Sequence, residues 1–235
     1  MDRSKVFLRV NRVDPDLCDQ ARKASLSDLH EAMGYRGRAA LMSPRMRPLR
    51  LGQRVVGPAV TAWCAPGDNL MMHRALYLAQ AGDVLVVVCG SETSGAQWGD
   101  VAARYAKQKG LAGVVVQGPI RDVEQLLELD SQAWSTCISS IHPDKNGHGL
   151  VNAPIVCDGV LVQPGDMVVA DSDGVLVIPR DEAPQIVARG LARMKKEEEA
   201  AMAIGQGATP WDLSGASAIY AEMQIDERDC VWDSA

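Results

Sequence analysis

The chain has 235 residues, 47% of them hydrophobic and 23% charged, and carries a formal net charge of −6 at pH 7. A chain of this length buries roughly 70–75% of its unfolded surface in a single core, and its acidic balance argues against a nucleic-acid binder, which needs clustered Lys and Arg facing phosphates. Apolar runs stay well short of the ~20 residues that span a bilayer, and the opening MDRSKVFLRV lacks the apolar stretch of a secretory leader, so a soluble, cytoplasmic protein without membrane contact is expected.

Residues 15–34 (PDLCDQARKASLSDLHEAMG) place apolar side chains at helical spacing and stop at Gly34. Residues 35–52, rich in Arg, Met and Pro, predict an irregular connector. Its cluster of Arg36, Arg38, Arg45, Arg47 and Arg50 reads as a solvated segment or a subunit contact. The β-branched run QRVVGPAVTAW at 53–63 predicts a strand. After Gly67, Asp68 or Asn69 caps a helix that runs to about Ala81. The continuous apolar run DVLVVVC at 83–89 fits a strand covered on both faces.

The order then repeats. The loop GSETSGAQWGD leads into a helix at 101–109, a strand at 113–117, and a turn GPIRD that opens a helix near 122–128. Three β segments follow at 133–139, 154–162 and 167–178, punctuated by PGD at 164–166 and DSDG at 171–174. A long amphipathic helix carrying KKEEE covers 180–204, and a short helix follows near 212–222. Alternating strands and helices followed by clustered strands imply an α/β layered fold, organised as one domain with terminal extensions.

The chemistry concentrates between Asp100 and Asp122. Two loops, each leaving an apolar strand and opening a helix, carry Asp100 and the pair Arg121–Asp122. In parallel α/β sheets ligands bind beyond the carboxyl ends of the strands, where such loops gather, and helix N-termini there offer free N–H groups to a carboxylate. A planar guanidinium grips a carboxylate in bidentate fashion. An aspartate beside it stays ionised and available to a hard cation, and magnesium takes only one or two protein carboxylates. Taken alone, an Arg-Asp pair at a helix start is an ordinary surface ion pair.

Other groups weigh less. The six cysteines (Cys18, Cys64, Cys89, Cys137, Cys157, Cys230) show no metal-type spacing and read as small hydrophobes in a reducing compartment. The histidines His30, His73, His142 and His148 lack zinc spacing. Ser91, Thr93 and Ser94 have no His–Asp partners in a recognisable order. In the loop HPDKNGHG, Lys145 and His148 either meet a distal substrate carboxylate or form a polar turn.

Asp100, twenty intervening residues and then Arg121-Asp122 resembles the D-x20-R-D signature of the class II pyruvate aldolases, in the family that also holds the regulator of ribonuclease E activity A. HEAMG at 30–34, GPAVTAWCAPGDN at 57–69, GDVLVVV at 82–88, WGD at 98–100, PIVCDG at 154–159 and VQPGDMVVADSDGVLVIP at 162–179 look like the 4-hydroxy-4-methyl-2-oxoglutarate/4-carboxy-4-hydroxy-2-oxoadipate aldolases. The resemblance spans a core of about residues 20–205 and leaves a C-terminal extension at about 206–235 within a single domain.

The resemblance implies an αββα sandwich similar to the swivelling phosphohistidine domain, with protruding terminal helices, assembled as homotrimers or homohexamers with active sites between protomers. It implies Mg2+, with Mn2+ or another divalent cation substituting, held by Asp122. It makes Arg121 a binder of the pyruvyl group, Asp100 the holder of a metal-bound water, and the backbone at Gly99, Val101 and Ala102 a carboxylate cradle. An acidic residue of the neighbour's C-terminal helix, Glu199 or Glu197, and Glu31 of the N-terminal helix complete the set. The implied activity is retro-aldol cleavage of a 4-hydroxy-2-oxo diacid to pyruvate, of the kind used in aromatic compound catabolism, with secondary oxaloacetate decarboxylation.

Two departures bear on this. Gln117 stands where many relatives carry an acidic residue, and the C-terminus WDLSGASAIYAEMQIDERDCVWDSA differs from the aldolases; both suggest an altered distal pocket. The rival readings are a non-catalytic regulator that binds a ribonuclease or helicase, and a lyase acting on a different 2-oxo acid. The acidic residue at Asp100 favours an enzyme.

Overall fold

Valine-rich runs with no polar side chain on either face satisfy their backbone as strands buried on both sides, and such strands build the centre of this protein. The computed structural model describes residues 4–91 and 94–232, so Thr93 lies outside the described residues. Two units are distinguished, one ending at Leu191 and one starting at Ala192.

In chain order the first unit contains β1 (Lys5–Val6), α1 (Pro15–Ala21), α2 (Leu26–Ala32), a 3₁₀ turn at Gly34–Arg36, α3 (Gly37–Ala40), β2 (Arg47–Pro48), β3 (Val55–Cys64), α4 (Leu70–Leu78), β4 (Val84–Cys89) and α5 (Asp100–Lys109). It continues through β5 (Gly113–Ile120), α6 (Val123–Glu128), β6 (Ala133–Ile138), β7 (Gly149–Val151), β8 (Ile155–Cys157), β9 (Val160–Val162), β10 (Met167–Ala170) and β11 (Val175–Ile178). Helix α7 (Ala183–Gly205) starts in this unit and ends in the second, which also holds α8 (Pro210–Leu213) and α9 (Ala216–Glu222).

The strand order is β1-β7-β3-β4-β5-β6-β2, with β3, β4, β5 and β6 mutually parallel. Strand β3 serves two sheets: Val55–Pro58 pair antiparallel with β10, while Ala59–Cys64 pair parallel with β4. Strand β10 also pairs with β11 across the DSDG turn.

Side-chain alternation distributes the buried strand hydrophobics among three interlayer cores. In β4, Val84, Val86 and Val88 face the space between the sheets, while Leu85 and Val87 face α4 and α5. In β10, Val168 and Ala170 face between the sheets, while Met167 and Val169 pack with residues of α1, α2 and α7. Helix, sheet, sheet and helix are thus the four layers of an αββα sandwich, as expected.

The structure redraws several boundaries. The expected helix over 15–34 breaks, because Ser25 forms a reciprocal capping box with Asp28 and starts α2 afresh. The connector at 35–52 holds α3 and the 3₁₀ turn. The segment 154–162 is a hairpin, turned at Asp158 (φ 46°) and Gly159 (φ 86°), a left-handed pair suited to a two-residue turn. Strand β5 runs on to Ile120 past an irregularity between Val116 and Pro119. Within the basic cluster, Arg36 pairs with Glu182, Arg45 with Asp158 and Arg50 with Asp130.

In the second unit the KKEEE stretch is exposed, and Glu197 pairs with Arg193 at 3.7 Å. Thr209 caps α8, and Trp211 meets Tyr220 edge-on at 5.2 Å. Among the described residues no helix is long and apolar enough to cross a membrane.

Candidate active site

Strands β3, β4 and β5 run in parallel and end at one edge, so the loops that leave them converge there. The backbone fixes the meeting point: Arg121 N donates to Trp98 O at 2.9 Å beside a bridge between Trp98 and Ile120. Gly99 and Asp100 therefore lie against Arg121 and Asp122. Gly99 has extended backbone (φ −165°), so its glycine character serves proximity rather than a turn. A Cβ there would stand 2.5 Å from Asp122 Oδ2 and 3.2 Å from Arg121 Cγ.

Asp122 occupies the left-handed region (φ 60°, ψ 45°) at the start of α6, yet its side chain makes no capping bond to that helix. Aspartate tolerates this conformation better than most residues. It turns the carboxylate instead toward α5, where Oδ2 accepts from Asp100 N at 3.3 Å and lies 3.4 Å from Arg121 Nε. Among the described residues Oδ1 has no hydrogen-bond partner. The amides of Val101 and Ala102, in the first turn of α5, have no intrahelical acceptors and sit at the positive end of the helix dipole. Asp100 itself lies 3.4 Å from Arg104 Nε.

These groups border a cleft of about 280 Å³, whose lining includes Asn69, His73, Trp98, Arg121, Asp122 and Lys145. Asp100, Gly99, Val101 and Ala102 line it too, so the sequence-predicted cradle and the Arg-Asp pair come together. His148 lies apart from this cleft, beside Trp63 and Phe7. Burial and the ammonium of Lys145 lower the pKa of His73 and so favour its neutral imidazole.

Glu31, on α2, is exposed and does not line the cleft. Glu197 and Glu199 lie exposed on α7 in the second unit. Gln117 does not line the cleft. Its Oε1 accepts from Asp158 N at 2.8 Å, so it braces the β8–β9 hairpin. Asn69, Gln97 and His142 join the lining without having been singled out as ligands; the GDN sequence signalled Asn69 only as a helix cap.

The donor set fits a hard divalent cation. Asp100 and Asp122 are about one-third exposed (28% and 33%) and offer oxygen alone. Magnesium accepts such a pair while keeping most of its water. Among the described residues no group of three or more His, Cys, Asp and Glu gathers, which sets this arrangement apart from a multi-ligand protein cage.

The family model described as RraA-like, Aldolase/RraA, matches residues 15–177. A protein of Halalkalibacterium halodurans named "Putative 4-hydroxy-4-methyl-2-oxoglutarate aldolase" is 36% identical over 163 residues, covering 69% of this chain and 78% of its own length. Among solved structures, Streptomyces coelicolor RraAS2, titled an unusual member of the RNase ES inhibitor RraA protein family, is 33% identical with a TM-score of 0.73, covering 83% of this chain and all of its own. The RNA-processing inhibitor RraA from Thermus thermophilis is 32% identical with a TM-score of 0.60, covering 66% of this chain and 93% of its own.

Proposed function

The chain belongs to the RraA-like family, and from that premise we propose that it is a carbon–carbon lyase that releases pyruvate from a 4-hydroxy-2-oxo diacid with the help of a divalent cation. The observation that carries this reading is the convergence of Asp100, Arg121, Asp122 and the N-terminus of α5 on one cleft. A surface ion pair would not need Gly99 kept bare against both side chains.

Each group has a role set by its chemistry. The Val101 and Ala102 amides and the Arg121 guanidinium bind the carboxylate and oxo oxygens of the pyruvyl end. Asp122 is the residue that would hold Mg2+ or Mn2+, with Asp100 beside it to hold water, and the cation when bound would supply Lewis-acid stabilisation of negative charge at the 2-oxo group. Loss of the C4 hydroxyl proton breaks the C3–C4 bond and leaves its electron pair as a pyruvate enolate, whose charge Arg121 offsets. Asp100 orients a water that takes the C4 proton and returns one to C3. Lys145 faces the far carboxylate. Oxaloacetate reaches the same enolate by losing carbon dioxide. Glu31 and Glu199 or Glu197 act from a neighbouring protomer in a trimer or hexamer; the protein takes no nucleic acid as ligand.

The test is pyruvate release, coupled to lactate dehydrogenase, across 4-hydroxy-2-oxo diacids and oxaloacetate with Mg2+ or Mn2+. Asp122→Ala is expected to abolish both activities, and EDTA to do so reversibly. Undiminished turnover after exhaustive chelation would remove the cation from the mechanism. No pyruvate from any member would favour the second reading, a regulator of RNA processing, which rests on the two solved relatives titled as RNase or RNA-processing inhibitors.

A further inference from the structure

Lys145 sits in a loop, yet its neighbours on both sides are tied to one corner of the fold. Asp144 N donates to Gly67 O at 2.7 Å, and Asn69 N donates to Asp144 O at 3.1 Å. On the other side, Asn146 N and Gly147 N both donate to Asp68 Oδ2, the latter at 3.1 Å. Asp68 is 2% exposed, and its second oxygen accepts from Leu70 N at 2.8 Å at the start of α4. Its backbone carbonyl accepts from the buried Gln97 side chain at 3.0 Å.

We propose that Asp68 is a positioning residue whose carboxylate clamps the backbone around Lys145 and so presents that ammonium to the far anionic end of the ligand. The local turn to Leu70 N accounts for Oδ1 alone. Oδ2 is committed to amides 78 and 79 residues away. An acceptor-only carboxylate suits three converging N–H donors, whereas an asparagine amide must turn its NH2 toward at least one of them. A lysine on a flexible four-carbon stem gains most from an anchored backbone, because less freedom is lost on binding. This inference rests on the reading of Lys145 as the contact for a distal carboxylate.

The test compares the full-length wild type, Asp68→Asn, Lys145→Ala and the double variant. Asp68→Ser accompanies them, since a serine hydroxyl can still accept from Leu70 N in the same local turn and cannot serve the loop amides. Either Asp68 variant is expected to raise KM for a pyruvate-releasing diacid about tenfold, with kcat changed less than about threefold. The double variant should be no weaker than Lys145→Ala, because coupled residues do not add. Hydrogen exchange should quicken at Asn146 and Gly147. Losses that multiply, a kcat that falls as far as KM rises, or unchanged exchange would overturn the clamp, and so would failure of both Asp68 variants to fold. If the wild type releases no pyruvate from any diacid, the lyase reading fails separately. The same proteins are then compared by calorimetry with 2-oxoglutarate, where the same non-additive weakening is expected and additive weakening or none overturns the proposal.

Discussion

Gly99→Ala isolates the geometry of the site from its chemistry. The added methyl would lie 2.5 Å from Asp122 Oδ2, about 0.9 Å inside the 3.4 Å at which ordinary contact begins, and 3.2 Å from Arg121 Cγ. The extended backbone at Gly99 suits alanine, so the strain falls on the two side chains rather than on the fold. Asp122 is one-third exposed and free to swing outward, which breaks its contact with Asp100 N. A misplacement of about 1 Å costs on the order of 10²-fold in rate, equivalent to about 2.7 kcal/mol in the barrier. The expected result is a hundredfold lower kcat/KM for pyruvate release, with Tm within a few degrees of wild type. Activity within threefold of wild type would refute the argument that Gly99 is kept bare for Asp122 and Arg121.

Two further substitutions test the frame. Arg12 grips the fully buried Asp83 with two bonds of 2.8 Å, so Arg12→Ala leaves a buried carboxylate without its cation, though still bonded to Gln80 N, and should cost about 3 kcal/mol in chemical denaturation. Gln117→Ala removes the acceptor for Asp158 N and should cost about 1–2 kcal/mol in the same assay, while the preference among 2-oxo acids stays that of the wild type.

Much of this was readable from the chain because the relevant signals are local or repeated. DVLVVVC could only be a strand buried on both faces, and it is. Asp100 and the Arg-Asp pair carry their spacing in the sequence, and two consecutive strand–loop–helix units bring them together. Gln117 lies off the cleft for a reason that alternation supplies: it stands two residues after Val115, whose side chain points between the sheets, away from α4 and α5. Asn69 and His142 enter the cleft through contacts across some 75 residues, such as that between Asn69 and Asp144, and no local pattern announces them. The capping box at Ser25 and the Asp158–Gly159 turn were present in the sequence, but periodicity and a continuous β run masked both.

The double membership of β3 has a consequence for how the chain acquires its structure. Its second half finds β4 within about 25 residues, as at Ala59 and Val84, but its first half must wait for β10, more than 100 residues later, as at Gly57 and Val168. Such non-local pairing slows folding. During synthesis the parallel half is complete while Val55–Pro58 still present an unpaired edge, the kind of surface that recruits other chains. Emergence of residues 167–170 from the ribosome is therefore the event that closes the aggregation-prone interval, and a chain truncated before Met167 should be recovered as aggregate rather than as a smaller folded domain.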